Sequence, residues 1–287
     1  MSPDVHAFFD DATNTATYVV TEPEGRACAV IDSVLDFDYA SGRTDTRAAN
    51  LVIDHITRNE LSLHWILETH VHADHLSAAP YLQEQLGGRL GIGDRITVVQ
   101  ETFGKVFNEG TRFARDGSQF DQLFRDGDSL MIGQLRCDVM HTPGHTPACL
   151  TYVIGDAAFV GDTLFMPDYG TARCDFPGGS AAQMYDSIQR ILALPAATRI
   201  FVCHDYKAPG REAYAWESTV GAQKALNKHI GAGRPKDEFV AMREARDATL
   251  AMPRLIIPSL QVNMRAGQMP EAEDNGTSYL KVPVNGM

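Results

Sequence analysis

The chain has 287 residues, 44% of them apolar and 22% charged, with a net charge of −12. That length supports a large apolar core without disulfide staples, and an acidic chain with no basic stripe argues against a nucleic-acid partner. Five cysteines without a CxxC pair, no basic-then-apolar leader and no apolar run of bilayer length lead to the expectation of a cytoplasmic protein with no membrane partner.

Along the chain, ATYVVTE (16–22) and ACAVID (27–32) read as paired strands around the turn-like PEGR. Residues 46–57 follow as a helix, with Ala48, Val52 and Ile56 at four-residue steps. HWILET (64–69) is a short buried strand, and THVHADH (69–75) begins at its C-terminal end. A helix from about Ser77 places Leu82 and Leu86 on one face and stops at Gly87-Gly88. Residues 94–128 mix charge with chain breaks and read as an insertion with partial helix. Strand patterns return at 135–141, 149–154 and 157–160. Ser180 and Gln183 then form a capping box ahead of Met184, Ile188, Ile191 and Leu192. RIFVC (199–203) is another buried strand and ends at His204. Helical patterns cover 212–230, with Trp216, Val220, Leu226 and Ile230 as a core stripe, and 236–250. The Pro-rich extension from about 251 reads as irregular packing or a last hairpin. The expectation is one α/β domain over 1–287, built as two sheets with helices outside. No glycine-rich phosphate loop follows any strand, so dinucleotide and P-loop folds lose support.

Metal-ligating residue types recur wherever a predicted strand ends. His70, His72, Asp74 and His75 follow strand 64–69, and His145 follows 135–141. Asp162 follows 157–160, and His204 follows 199–203. Strand ends that converge on one edge bring distant ligands to one point with little backbone freedom. Neutral imidazole and carboxylate suit zinc, iron or manganese. His6, His55, His64, His141 and His229 lack such a pattern and read as structural or exposed.

The segments THVHADH, TPGHTPA with His145, GDTLF with Asp162 and CHDY with His204 resemble the ordered motifs of the metallo-β-lactamase superfamily. Asp32, in VIDS, fits its early supporting aspartate. The resemblance implies a four-layer αβ/βα sandwich with the site at one edge between the sheets. Two ligand sets remain open. Two zinc ions would use His70, His72 and His145 at one site and Asp74, His75 and His204 at the other, with Asp162 bridging. This is hydrolase chemistry of the glyoxalase II kind. A single iron(II) would use His70, His145 and Asp162, two imidazoles and a carboxylate that leave three positions open. His72, Asp74, His75 and His204 would then be outer-shell residues.

Residues beyond the ligands favour the second set. GTARCDFPGG (170–179), HDYKAPGRE (204–212), STVG (218–221) and PSLQVNMRAG (258–267) resemble the glutathione-persulfide dioxygenases, in their bacterial β-lactamase-hydrolase-like branch. Cys174 stands where that family has threonine, and Asp205 where glyoxalase II has glutamate. The resemblance implies one Fe(II) per chain, with glutathione persulfide and O2 as substrates. Glutathione is a net anion, so a chain of charge −12 must gather local cations to bind it. Arg173, Lys207 and Arg211 follow the ligand-bearing segments, and Tyr206 lies directly beyond His204. These four are expected to bind substrate. The C-terminal tail offers extra surface on which a homodimer could form.

Overall fold

The computed structural model describes residues 1–286. Its first half runs β1 (Asp4–Asp10), β2 (Thr15–Thr21), β3 (Ala27–Ile31), β4 (Val34–Asp38), β5 (Arg43–Asp45), α1 (Arg47–Arg58), β6 (Ser62–Leu67), β7 (Leu76–Ser77), α2 (Ala79–Leu86), β8 (Arg89–Gly93), α3 (Ile96–Val106) and β9 (Gln122–Phe124). The second half runs β10 (Ser129–Ile132), β11 (Leu135–His141), β12 (Leu150–Ile154), β13 (Ala157–Phe159), α4 (Ala181–Leu192), β14 (Arg199–Phe201), β15 (Glu217–Thr219), α5 (Val220–Leu226), α6 (Lys236–Asp247) and α7 (Ile256–Asn263).

Two six-stranded sheets form, ordered β1-β2-β3-β6-β8-β9 and β10-β11-β12-β13-β14-β15, beside a small β5-β4-β7 sheet. Strand periodicity explains the layering. In β13, Ala157 and Phe159 face the space between the sheets while Ala158 faces the helices. In β3, Ala29 and Ile31 face inward while Cys28 and Val30 face α1, α2, α3 and α7. Tyr18, Leu67, Tyr152, Phe159 and Phe201 fill the central layer. Met184, Ile188, Val220 and Phe239 cover the second sheet from outside. Strands buried on both faces read as continuous apolar runs, which is why the central strands were legible in the sequence. The result is the expected αβ/βα sandwich.

Several local expectations need correction. The stretch 94–128 supplies α3 and an edge strand, β9, which pairs parallel to β8. Residues 212–230 are not one helix. Thr219 ends β15, and its hydroxyl accepts a hydrogen bond from Ala222 N (3.1 Å) to cap the short α5. Leu226 is consequently 70% exposed, whereas Val220 and Ile230 are buried. The extension after 251 contains α7 instead of a hairpin. Pro258 is its third residue, where the amide would have no helical partner in any case. All five cysteines are buried and free, and burial pushes the Cys28 and Cys149 thiols up to about 12, as expected of small core hydrophobes. No helix among the described residues is long and apolar enough to cross a membrane.

Candidate metal centre

The ends of β6, β11, β13 and β14 deliver all seven donors to one edge of the sandwich. The two sheets are tied together there by Ala16 N donating to Cys203 O (2.8 Å). Gly161 allows the approach beside Asp162. It has φ +49°, and a Cβ there would lie 2.6 Å from Thr69 Oγ1. His70, His145 and Asp162 form one group with donor atoms within 4.8 Å of one another, and His72, Asp74, His75 and His204 form another. The structure therefore groups His72 with the second set, not with His70 and His145. Asp162 faces both groups. Its Oδ2 lies 3.6 Å from His145 Nε2 and 4.0 Å from His70 Nε2, and its Oδ1 lies 3.3 Å from His204 Nε2.

Each of the five histidines has one ring nitrogen tied to an acceptor, which assigns its tautomer. His145 Nδ1 donates to Arg173 O (2.8 Å), and His204 Nδ1 donates to Asn14 O (3.2 Å). Thr69 Oγ1 donates to Asp32 Oδ2 (2.8 Å), so it accepts from His70 Nδ1 (3.0 Å). His72 Nε2 lies 3.0 Å from Asp32 Oδ1 and 3.2 Å from Glu68 Oε2. His75 Nδ1 faces Asp74 Oδ1 at 3.5 Å. The opposite nitrogens keep their lone pairs. His72 Nδ1, His75 Nε2, His204 Nε2 and Asp162 Oδ1 are buried with no hydrogen-bond partner among the described residues. Orphaned acceptors converging in this way fit a divalent cation, since burying them unpaired is costly.

The electrostatics agree for His70, His75 and Asp74. Burial, reinforced by the neighbouring imidazoles, holds His70 well below the usual histidine range, and burial also lowers His75. Both are neutral and able to ligate. Burial works against the Asp74 carboxylate, yet His204 and His75 outweigh it and keep it ionised. For His72 the sign is opposite: burial is overcome by the Asp32 and Glu68 carboxylates, which favour the doubly protonated ring, so a metal ion at Nδ1 would have to displace a proton.

The donors open into a cavity of about 450 Å³ lined by Asp74, His145, Asp162 and, among others, Phe165, Tyr169 and Phe176. Of the four residues expected to bind substrate, Arg173 and Tyr206 line it, whereas Lys207 and Arg211 are absent from the lining. All five Arg211 donors are taken by Asp168, Asp205 and Ala213 O. Lys207 Nζ instead sits 4.4 Å from the Tyr214 ring centroid. Arg173 spends its fork on Asp175 (2.6 and 2.7 Å) and Ala251 O (2.7 Å). The lining also contains Arg243, Arg246 and Arg254, which sequence reasoning missed. Their positions depend on how α6 and the following loop fold back, and no local pattern records that.

Beneath the cavity floor, His229 Nδ1 accepts from Thr171 N (3.0 Å), and Gly170 leaves the room, since a Cβ there would lie 2.2 Å from that ring nitrogen. Burial, then Arg243, pushes this imidazole down to about 3. His229 is thus neutral in the fold, whereas the unfolded chain takes up a proton below about pH 6.5. Its stabilising contribution is complete above that value and is lost as pH falls toward 3, by up to about 1.4 kcal/mol per unit. His229→Gln should therefore show a shallower fall in melting temperature between pH 6.5 and 4.5 than wild type. Identical acid slopes would contradict this environment.

A family model described as the metallo-beta-lactamase superfamily matches residues 10–204, the span that holds all seven donors. The chain belongs to that superfamily. Among its members, a probable metallo-hydrolase of Burkholderia pseudomallei is 56% identical over 99% of both chains. Glyoxylase B2 of Dictyostelium discoideum is 47% identical over 98% of this chain and 97% of its own. The mitochondrial persulfide dioxygenase ETHE1 of Homo sapiens is 31% identical over 92% of this chain and 89% of its own. Other relatives, 52–53% identical, are longer, and the chain spans about two thirds of their length. The crystal structure of ETHE1 from Myxococcus xanthus superposes with a TM-score of 0.73 at 28% identity, covering 92% of this chain and all of that one. The chain is thus an enzyme of that superfamily with a donor cluster suited to a metal ion, and its relatives include both hydrolase-named and dioxygenase-named proteins.

Proposed function

We propose that the chain is a mononuclear non-haem iron(II) persulfide dioxygenase, which converts glutathione persulfide, O2 and water into glutathione and sulfite. The observation that carries this reading is the His70–His145–Asp162 group, two imidazoles with free lone pairs and one carboxylate within 4.8 Å. An iron(II) ion held there would offer open positions at which a sulfur anion and dioxygen meet. The chain's own residues do the rest. Phe165, Phe176 and Leu255 keep the cavity wall apolar and restrict water. Arg173 O fixes the His145 ring, and Asp32 fixes His70 through Thr69. Likeness to the human persulfide dioxygenase along most of both chains adds support.

A second reading, a dizinc thioester hydrolase, has its own observation. The other donor set is complete, with His75 Nε2 and His204 Nε2 unpartnered beside Asp162 Oδ1. The names of the more similar relatives also lean that way. Elemental analysis of anaerobically purified protein separates the two, together with oxygen uptake on glutathione persulfide and hydrolysis of S-lactoylglutathione. We expect one iron per chain and oxygen uptake matched to sulfite release. Two zincs per chain, with thioester hydrolysis and no oxygen uptake, would overturn the proposal.

A further inference from the structure

We infer that Arg246 and Arg254 form a carboxylate-binding rim over the metal cavity, which anchors the two carboxylates of a dicarboxylate thiol while its sulfur reaches the His–Asp cluster. The inference rests on the glutathione part of the proposed function and names how that part is recognised. Four arginines line the cavity: Arg173, Arg243, Arg246 and Arg254. Two are already neutralised. Arg173 is forked onto Asp175, and buried Arg243 pairs with Asp247 (2.6 Å) and with Thr171 O (3.0 Å). Arg246 and Arg254 are exposed, and neither makes an ion pair or a side-chain hydrogen bond among the described residues. Arg254 also borders the neighbouring groove with Asp38 and Arg47, yet pairs with none of its acids.

Both free guanidinium groups sit on backbone pinned to the metal site. Asp247 Oδ2 accepts from Cys174 N (2.8 Å), so the last turn of α6, which carries Arg246, is fastened to segment 171–174. The same segment orients His145 through Arg173 O. Arg173 Nη1 donates to Ala251 O (2.7 Å), which fastens the loop leading to Arg254. The predicted substrate contact Arg173 is thereby a clamp that places another arginine. A guanidinium fork can hold a carboxylate through two parallel hydrogen bonds. In a chain of charge −12, two unpaired arginines at one cavity mouth are where an anion is drawn. The cavity, at about 450 Å³, falls within the range of small-molecule sites.

The test measures binding to metal-loaded wild type, Arg246→Ala/Arg254→Ala and Arg246→Lys/Arg254→Lys by calorimetry. The probes are glutathione, glutathione diethyl ester and plain glutarate. We expect glutathione and glutarate to bind wild type at least about tenfold more tightly than the double alanine variant. The lysine variant should recover part of the difference, and the diester should bind wild type and the alanine variant alike. Arginine-dependent glutarate binding without glutathione binding would uphold the rim and count against the thiol. Equal affinities in wild type and the alanine variant, or no binding of either acid to wild type, would overturn the rim.

Discussion

Asp162→Ala is expected to strip the metal and abolish turnover together. One carboxylate faces both donor groups, with Oδ2 toward His145 and His70 and Oδ1 toward His204. Alanine removes the anionic donor and leaves only two neutral imidazoles, His70 and His145, to attract a cation in that group. Loss of several kcal/mol of metal-ion stabilisation corresponds to a rate loss on the order of a thousandfold or more. The fold should survive. Asp162 Oδ1 makes no hydrogen bond among the described residues, so removing the side chain orphans no donor there. Metal content and, for the proposed reaction, oxygen uptake are the measurements, with circular dichroism as the control for folding. A variant that keeps its full metal content and its turnover would refute the ligand set.

The site was legible in the sequence because its chemistry is local. Three histidines and an aspartate crowd into seven residues, and the remaining donors each follow a run of strand-forming residues. Strand-end position is a property of short windows, and it proved sufficient to bring His70, His145, Asp162 and His204 together. Charge at the cavity was not legible. Arg211 follows closely on the ligand-bearing segment that ends at His204, yet Asp168 and Asp205 consume it. Arg246 lies far along the chain and remains free. Whether an arginine is available depends on which carboxylates the fold sets beside it, and that is a tertiary fact. The same holds for Asn263 on α7. Its Nδ2 donates to the carbonyls of His72 (2.9 Å) and His75 (2.8 Å), and its Oδ1 accepts from Ser77 N (2.8 Å). This one side chain braces the ligand loop from a helix that the proline count had argued away. Pro258 misleads because a proline breaks a helix only where an amide is needed.

Asp32→Ala should produce the largest loss of stability among single substitutions at the site, and Asp32→Asn a smaller one. Asp32 is buried and accepts from Thr69 N (2.7 Å), Thr69 Oγ1 (2.8 Å) and His72 Nε2 (3.0 Å). Burial disfavours its charge, but His72 and these donors outweigh that and keep the carboxyl below the usual range. Alanine leaves the Thr69 donors without a partner and His72 with Glu68 alone. Removing one partner of a buried charged pair typically destabilises by about 3–5 kcal/mol. The consequence extends to the metal. Without Asp32, Thr69 Oγ1 is free to donate to His70 Nδ1, which would move the ring proton to Nε2 and occupy the lone pair that faces Asp162. Asparagine can still accept from Thr69 N and His72 through its carbonyl, so it should retain most of the fold. Its amide, however, donates to Thr69 Oγ1 where the carboxylate accepted, which weakens control of the His70 tautomer. Metal affinity is therefore expected to fall by about 10–100-fold in asparagine and further in alanine. Denaturant titration and competitive chelation measure the two effects separately. Equal stability of wild type and Asp32→Ala would mean that this carboxylate does not organise the ligand loop.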